Sequence, residues 1–253
     1  MKSTYSYQYP RPALTADTVV FGFDGREAEL KILLIERGGD PYMGKMALPG
    51  GFLEIEAKTD ADGNVIEEKN ETLEACACRE LEEETGLKVN FMKEVGTFST
   101  PGRDPRGVTV TDAFYALASP VSVRGGDDAR KAMWVPLQSV LTAIDSMPSG
   151  MRFLAFDHDD IVRRAFNQLR TDICFEPVAF LLLTETFSMT QVQEIYQTIL
   201  GKEFDRRNFA RKVLMSGVLD RLVPVGRNVN YKLNRAKFEE LKNSNRRLKL
   251  QFV

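Results

Sequence analysis

A chain of 253 residues with 43% hydrophobic content has room for two domains and a sizeable buried core. Its formal charge of −2 hides a division: residues 158–253 carry 17 Lys and Arg against 11 Asp and Glu, the rest 17 against 25, and from residue 201 onward the ratio reaches 14 to 5. The basic end points to a polyanionic partner, while three cysteines, Cys76, Cys78 and Cys174, are too few and too poorly spaced for a disulfide framework or a zinc site.

Residues 1–12 lack the apolar core of a signal peptide, and the longest apolar run, residues 178–183, is far shorter than a membrane span. The expected setting is cytoplasmic. After the polar, Tyr-rich lead, residues 18–23 and 30–35 read as strands of a hairpin turned at Asp24-Gly25. Arg37 follows the second strand as a candidate phosphate ligand. In the stretch MALPGGF, residues 46–52, Gly50 and Gly51 either let the backbone approach a ligand or simply form a turn. Residues 54–69 read as a hairpin or surface loop, since the acidic ligands a calcium loop needs after Asp60, Asp62 and Asn64 are out of register.

A helix is expected to begin near Asn70 as N-cap, with Glu71 in its first turn and Gly86 at its end. Leu73, Ala77 and Leu81 recur every four residues as its apolar stripe. On the same helix Glu80, Glu83 and Glu84, at i, i+3 and i+4, put three carboxylates on one face. Either a hard divalent cation such as magnesium neutralises them or the face is an ordinary solvated one.

Strands are expected over residues 94–100, 109–118 and 132–137. Between the first two, PGRDPRG at residues 101–107 presents Arg103 and Arg106, which fork onto phosphate or a carboxylate or belong to an exposed connection. A helix over residues 137–144 leads to MPSG at 147–150, the strongest boundary signal, dividing the chain into domains 1–150 and 151–253. His158, the single histidine, has no second histidine or cysteine nearby and is expected at the surface or as a cap before a connecting helix over 159–169.

Ser188 with Gln191 forms a capping box for a helix that ends at Gly201. Asp205 caps the next helix, with Arg206, Arg207, Asn208, Arg211 and Lys212 near its start and Val213, Leu214, Val218 and Leu219 along its inner side. Strands at 222–225 and 229–233 around Gly226-Arg227-Asn228 complete a winged helix-turn-helix. Arg206, Arg207, Asn208, Lys212 and Arg227 are expected to face DNA. The alternative is a small helical dimerisation domain.

The pattern Glu71, seven residues, Arg79-Glu80-Leu81-x-Glu83-Glu84-x-Gly86-Leu87, preceded by Leu48-Pro49-Gly50-Gly51, resembles the signature of the Nudix hydrolases. One departure is plain: nineteen residues separate Gly51 from Glu71 where the signature has five, an insertion of about fourteen. Surface insertions cost little, about 0.6 kcal/mol per doubling of loop length. The resemblance implies a Nudix-type α/β/α sandwich with a mixed sheet, and hydrolysis of a nucleoside diphosphate linked to another group. It implies a catalytic set of Glu71, Arg79, Glu83 and Glu84, with Arg79 orienting Glu83 and pairing with Glu71. Glu80, Glu83, Glu84 and the backbone of Gly51 would hold Mg2+ or Mn2+, and Gly50, Arg37, Arg103 and Arg106 would contact substrate. Asp127 and Asp128 are candidates for a remote base or ligand, or for a plain turn. The Arg103–Arg106 loop also resembles one in Nudix proteins that bind ADP-ribose.

With the winged helix included, the chain resembles the Nudix-related transcriptional regulators of bacteria. That implies a nucleotide-type ligand, double-stranded DNA as partner and a homodimer, because two-fold operators need paired readers. Two roles are compatible with this: a metal-dependent hydrolase of an ADP-ribose-like substrate, and a ligand-sensing regulator with little or no turnover.

Overall fold

The structure, a computed structural model, describes residues 8–59, 65–118, 129–224, 226 and 229–243. Its first layer is a mixed sheet. Strands β1 (Ala13–Asp24) and β2 (Glu29–Arg37) form the expected hairpin, with β3 (Met46–Ala47) and β4 (Gly50–Phe52) short strands of the following loop. The inserted stretch is a hairpin of its own, β5 (Ile55–Thr59) and β6 (Val65–Asn70), paired apart from the main sheet. Helix α1 (Leu73–Thr85) follows, then β7 (Met92–Phe98), β8 (Thr109–Ala118), β9 (Ala129–Pro136) and α2 (Leu137–Asp145). The path through the sheet runs β3-β2-β1-β8-β7, with β4 added on β1 and β9 on β2. Among the described residues of this sheet only β1 and β8 run parallel; the other pairs are antiparallel.

The period of two along β1 explains how the sheet carries helices on both faces. Val20 packs with Leu81 and Leu87 around α1, whereas Val19, Phe21 and Phe23 face the opposite layer with Leu137, Val140 and Ile161. That layer holds α2 and α3 (His158–Phe175), giving the expected α/β/α sandwich.

Beyond α3, a 3-10 turn (Pro177–Leu182) leads to β10 (Phe187–Ser188), α4 (Met189–Leu200), α5 (Arg206–Met215), β11 (Leu219–Arg221), β12 (Asn230–Leu233) and α6 (Arg235–Asn243). The three strands form one small sheet in the order β10-β12-β11, the expected winged helix. The Ser188–Gln191 capping box is present, Gly201 ends α4 in the left-handed conformation, and the Asp205 side chain accepts from Asn208 N at 2.9 Å.

Several boundaries differ from expectation. Helix α1 starts at Leu73 with Thr72 as N-cap, because β6 runs through Asn70 and keeps it in strand pairing. Helix α5 stops at Met215, and Gly217 (φ 72) turns the chain. Leu214 is therefore exposed, while Leu219 belongs to the first wing strand, three residues ahead of the expected 222–225. Arg227 and Asn228 of the wing tip, and Asp127 and Asp128, lie outside the described residues.

One apolar cluster runs through both parts of the molecule. Phe21, Tyr115 and Leu117 of the sheet, Ile161 and Leu169 of α3, Ile195 and Tyr196 of α4, and Phe209 and Val213 of α5 belong to it. Polar contacts fasten the same junction: buried Asp172 on α3 accepts from Tyr115 Oη (2.7 Å) and pairs with Lys93 (3.0 Å), and Thr198 Oγ1 on α4 donates to the Ala28 carbonyl (3.2 Å). Among the described residues no helix is long and apolar enough to cross a membrane.

Candidate active site and DNA-facing surface

Helix α1 presents its acidic face where β4 crosses the edge of β1. Gly50 and Gly51 are required there by space. A β-carbon on Gly51 would lie 2.3 Å from Glu80 Oε1, and one on Gly50 2.3 Å from the Ala16 carbonyl oxygen. Their lack of side chains lets α1 approach the strand closely enough for the Gly50 N–H to donate to Glu84 Oε2 at 3.0 Å.

Arg79 is the hub of the carboxylates. Its Nε and Nη2 grip both oxygens of Glu71 (3.1 and 2.8 Å), its Nη1 reaches Glu80 (2.8 Å) and Glu83 (3.1 Å), and Nη2 also donates to the Phe52 carbonyl (3.1 Å). Glu71 further accepts from Glu54 N at 2.8 Å, so the start of the inserted hairpin is tied to α1. The Arg79 fork, opposed by partial burial, brings the Glu71 carboxyl down to about 2.

Glu84 is in the opposite situation. Burial, then the charges of Glu80 and Asp17, push its carboxyl up to about 8 despite the Gly50 hydrogen bond. Burial likewise raises Glu80, while Glu83 is well exposed. Among the described residues no three carboxylates converge on one point as they stand, because Glu80 and Glu83 lean onto Arg79. The donor chemistry nonetheless fits a hard divalent cation. The half-buried Glu84 carboxyl, held protonated by burial and by the charge of nearby Glu80, and Glu80 itself are oxygen donors of the kind such a cation takes.

A cavity of about 410 Å3 opens in front of these groups, within the usual size for ligand sites. Its cationic wall carries Arg37 and Arg106. The Arg106 guanidinium lies 4.8 Å from the Phe52 ring centre and 5.6 Å from that of Phe156, with its edge on Asp104. Arg37 lies 4.8 Å from the Phe156 ring, donates through Nε to the Pro41 carbonyl, and meets no carboxylate among the described residues. Burial and the nearby Arg106 charge both disfavour its ionised form.

Arg103 takes the carboxylate alternative. It is buried, forks onto Asp157 (3.0 and 2.7 Å) and reaches Asp17 (3.3 Å), which also accepts from Thr111 Oγ1 (2.8 Å). His158 is a correction: it is 3% exposed, not a surface or capping residue. Its Nδ1 accepts from Leu48 N at 2.9 Å and its Nε2 points to Asp17 at 3.6 Å. Burial lowers its pKa against the pull of Asp17, so the ring is neutral with its proton on Nε2. Asp17, Phe52, Phe156 and His158 thus join the site unanticipated. The signals available were an Asp inside an apolar strand and a lone His in a polar run, and neither is specific.

On the winged helix, Arg206, Arg207, Asn208, Arg211 and Lys212 of α5 are all exposed, while Phe209 and Val213 of the same helix are buried. The second helix of the motif therefore presents a basic face suited to a phosphate backbone.

The sequence profile of the NUDIX domain matches residues 11–154, more than half of the chain. The chain belongs to the Nudix family. A second profile, the NrtR DNA-binding winged helix domain, matches residues 179–231 of this Nudix protein. It is 32% identical over 213 residues to the ADPR responsive transcriptional repressor NtrR of Acinetobacter baylyi, spanning 84% of this chain and 76% of the repressor. It is 34% identical over 155 residues to the ADP-ribose pyrophosphatase of Methanocaldococcus jannaschii, spanning 61% of this chain and 73% of that enzyme. In structure it is similar to NrtR of Shewanella oneidensis complexed with a 27mer DNA, with a TM-score of 0.68 and 28% identity over 89% of this chain and 95% of that one.

Proposed function

We propose that this protein is an ADP-ribose-responsive DNA-binding regulator whose Nudix site retains metal-dependent hydrolysis of ADP-ribose. One observation carries the reading: two signature carboxylates, Glu80 and Glu84, line an arginine-walled cavity in a molecule that also exposes a basic recognition helix.

The roles follow from the geometry. Glu80 and Glu84, with the Gly51 carbonyl and Glu83 after release from Arg79, would hold Mg2+ or Mn2+. When bound, the cation supplies charge neutralisation at the diphosphate and lowers the pKa of attacking water. Arg79, braced by Glu71, holds Glu80 and Glu83 near that position. The half-buried Arg37 offers its terminal N–H groups to a phosphate, and Gly50, whose missing side chain lets β4 lie close on β1, keeps the backbone of the cavity wall beside Glu84. Arg106 supplies a second positive charge on the same wall, and Arg103 stiffens the loop that carries it. Hydrolysis breaks one P–O bond of the diphosphate and adds water across it, giving AMP and ribose 5-phosphate.

Arg206, Arg207, Asn208, Lys212 and Arg227 would contact DNA, and a homodimer would present two such surfaces to a two-fold operator. We place DNA reading after residue 150 and the metal and phosphate-binding residues before it, with Phe156 and His158 just beyond the division completing the cavity wall. A cytoplasmic setting suits both, and Cys76, Cys78 and Cys174 are free thiols. The test is release of AMP from ADP-ribose with Mg2+, alongside binding to a duplex selected from random DNA, with and without ADP-ribose. Hydrolysis unaffected by Glu83→Gln with Glu84→Gln refutes the proposed site. DNA binding indifferent to ADP-ribose refutes the sensor.

A further inference from the structure

The segment that leads out of the Nudix domain is also a wall of its cavity. Phe156 and His158 line it, and Asp157 between them holds the Arg103 fork. Three parts of the site converge on this tripeptide. Arg37, at the end of β2, and Arg106, on the loop before β8, both lie against the Phe156 ring. Tyr42 meets the same ring edge-on at 5.0 Å. The third part is the Leu48 amide, bonded to His158 two residues before the Gly50 that holds Glu84.

The backbone at this point is strained. Phe156 has φ 53, the left-handed region that side chains with a β-carbon rarely occupy. Such a conformation persists only when its surroundings impose it. Here the imposing contacts are the Arg103 fork on Asp157, the Leu48–His158 bond, the Ala155 N–H on the Met46 carbonyl (2.9 Å) and the Asp159 carboxylate, which accepts from Phe153 N and Leu154 N (both 2.8 Å). Two of these partners, Arg103 and Leu48, line the cavity itself, so a change there bears directly on the tripeptide.

Beyond the tripeptide the chain is a stiff rod. His158 is the first residue of α3, an 18-residue helix about 27 Å long. Its apolar face lies in the same cluster as Tyr196 of α4 and Phe209 of α5, the recognition helix. A turn at Phe156 therefore tilts a rod on which the DNA reader is packed.

We propose that Phe156, Asp157 and His158 are the coupling element of this protein: an anionic ligand draws Arg37 and Arg106 off the Phe156 ring, and the tripeptide passes the change into α3 and the winged helix. This rests on the sensor reading of the protein. A ligand shifts such an equilibrium only through different contacts in the two states, and the two arginines provide that difference.

The test uses the full-length protein, ADP-ribose and a selected duplex. Wild type should lose DNA affinity on saturation with ADP-ribose by a factor within the usual range of about 5 to 150. Phe156→Leu keeps an apolar side chain but removes the ring. It should bind DNA normally without ADP-ribose, while its response factor falls below about two. An unchanged factor in Phe156→Leu beside a responding wild type overturns the coupling element and leaves the sensor reading standing. A wild type that does not respond overturns both. If Phe156→Leu no longer takes up ADP-ribose, amide hydrogen exchange in the wild type decides. ADP-ribose should alter exchange at Leu48 and over residues 156–161, and no change there overturns the proposal.

Discussion

Glu84 offers a sharp test of the site's electrostatics without any substrate. Its carboxyl stands at about 8 in the folded protein against an ordinary 4.5. Between those two values the folded chain binds a proton that the unfolded chain releases, so this group makes stability fall as pH rises. The slope approaches about 1.4 kcal/mol per pH unit and the total about 3–5 kcal/mol by pH 9. Below pH 4.5 the carboxyl is protonated in both states and the penalty is absent. Glu84→Gln keeps an oxygen acceptor for the Gly50 N–H, 3.0 Å away in the wild type, but carries no titrating proton. In chelator, urea unfolding from pH 5 to 9 should show the variant overtaking the wild type, with the difference growing toward high pH. Mg2+ should reverse the order at pH 8, since the cation takes the proton's place only in the wild type. Parallel profiles for the two proteins in chelator would refute the argument that burial and like charge hold this carboxyl protonated.

Two further outcomes concern the glycine beside Glu80 and the basic start of α5. Gly51→Ala places a methyl group 2.3 Å from Glu80 Oε1, so Mg2+-dependent hydrolysis should drop by at least about tenfold while the circular dichroism spectrum is retained. Arg206→Ala with Arg207→Ala removes two exposed cations from the start of α5. The slope of log affinity against log salt should become shallower by about 1.8, as two lost phosphate contacts require, in a fluorescence anisotropy titration.

The parts of the fold that were legible in the sequence are those set by local rules. Ser188 with Gln191, Gly201, Asp205 and Gly86 mark helix ends through hydrogen bonds to their own neighbours, and each stands at a helix end in the structure. Asn70 failed as a cap because β5 pairs with it across the hairpin, a contact that propensity at the helix start does not reveal. The first wing strand was misplaced because Gly217 already turns the chain, so pairing with β12 begins at Leu219. His158 is the instructive case. Nothing local buries a histidine flanked by aspartates; a backbone amide 110 positions away and the Asp157–Arg103 fork do so. The acidic triad was legible as a group on one helix face, yet the difference between Glu71 near 2 and Glu84 near 8 comes from the Arg79 fork on the first and the burial of the second, neither of which helix spacing reveals.

The apolar cluster that runs from Phe21 to Val213 bears on how this protein can be taken apart. A cut at residue 150 would strip α3 from the sheet and leave Tyr115, Phe21 and Leu117 facing water, a recipe for aggregation. Anyone transplanting this ligand response onto another DNA reader should carry the chain through Leu183 and match the surface where Ile195 and Tyr196 now sit. The natural seam between the two activities lies inside a core, so the unit that evolution or an engineer can exchange is larger than either named domain.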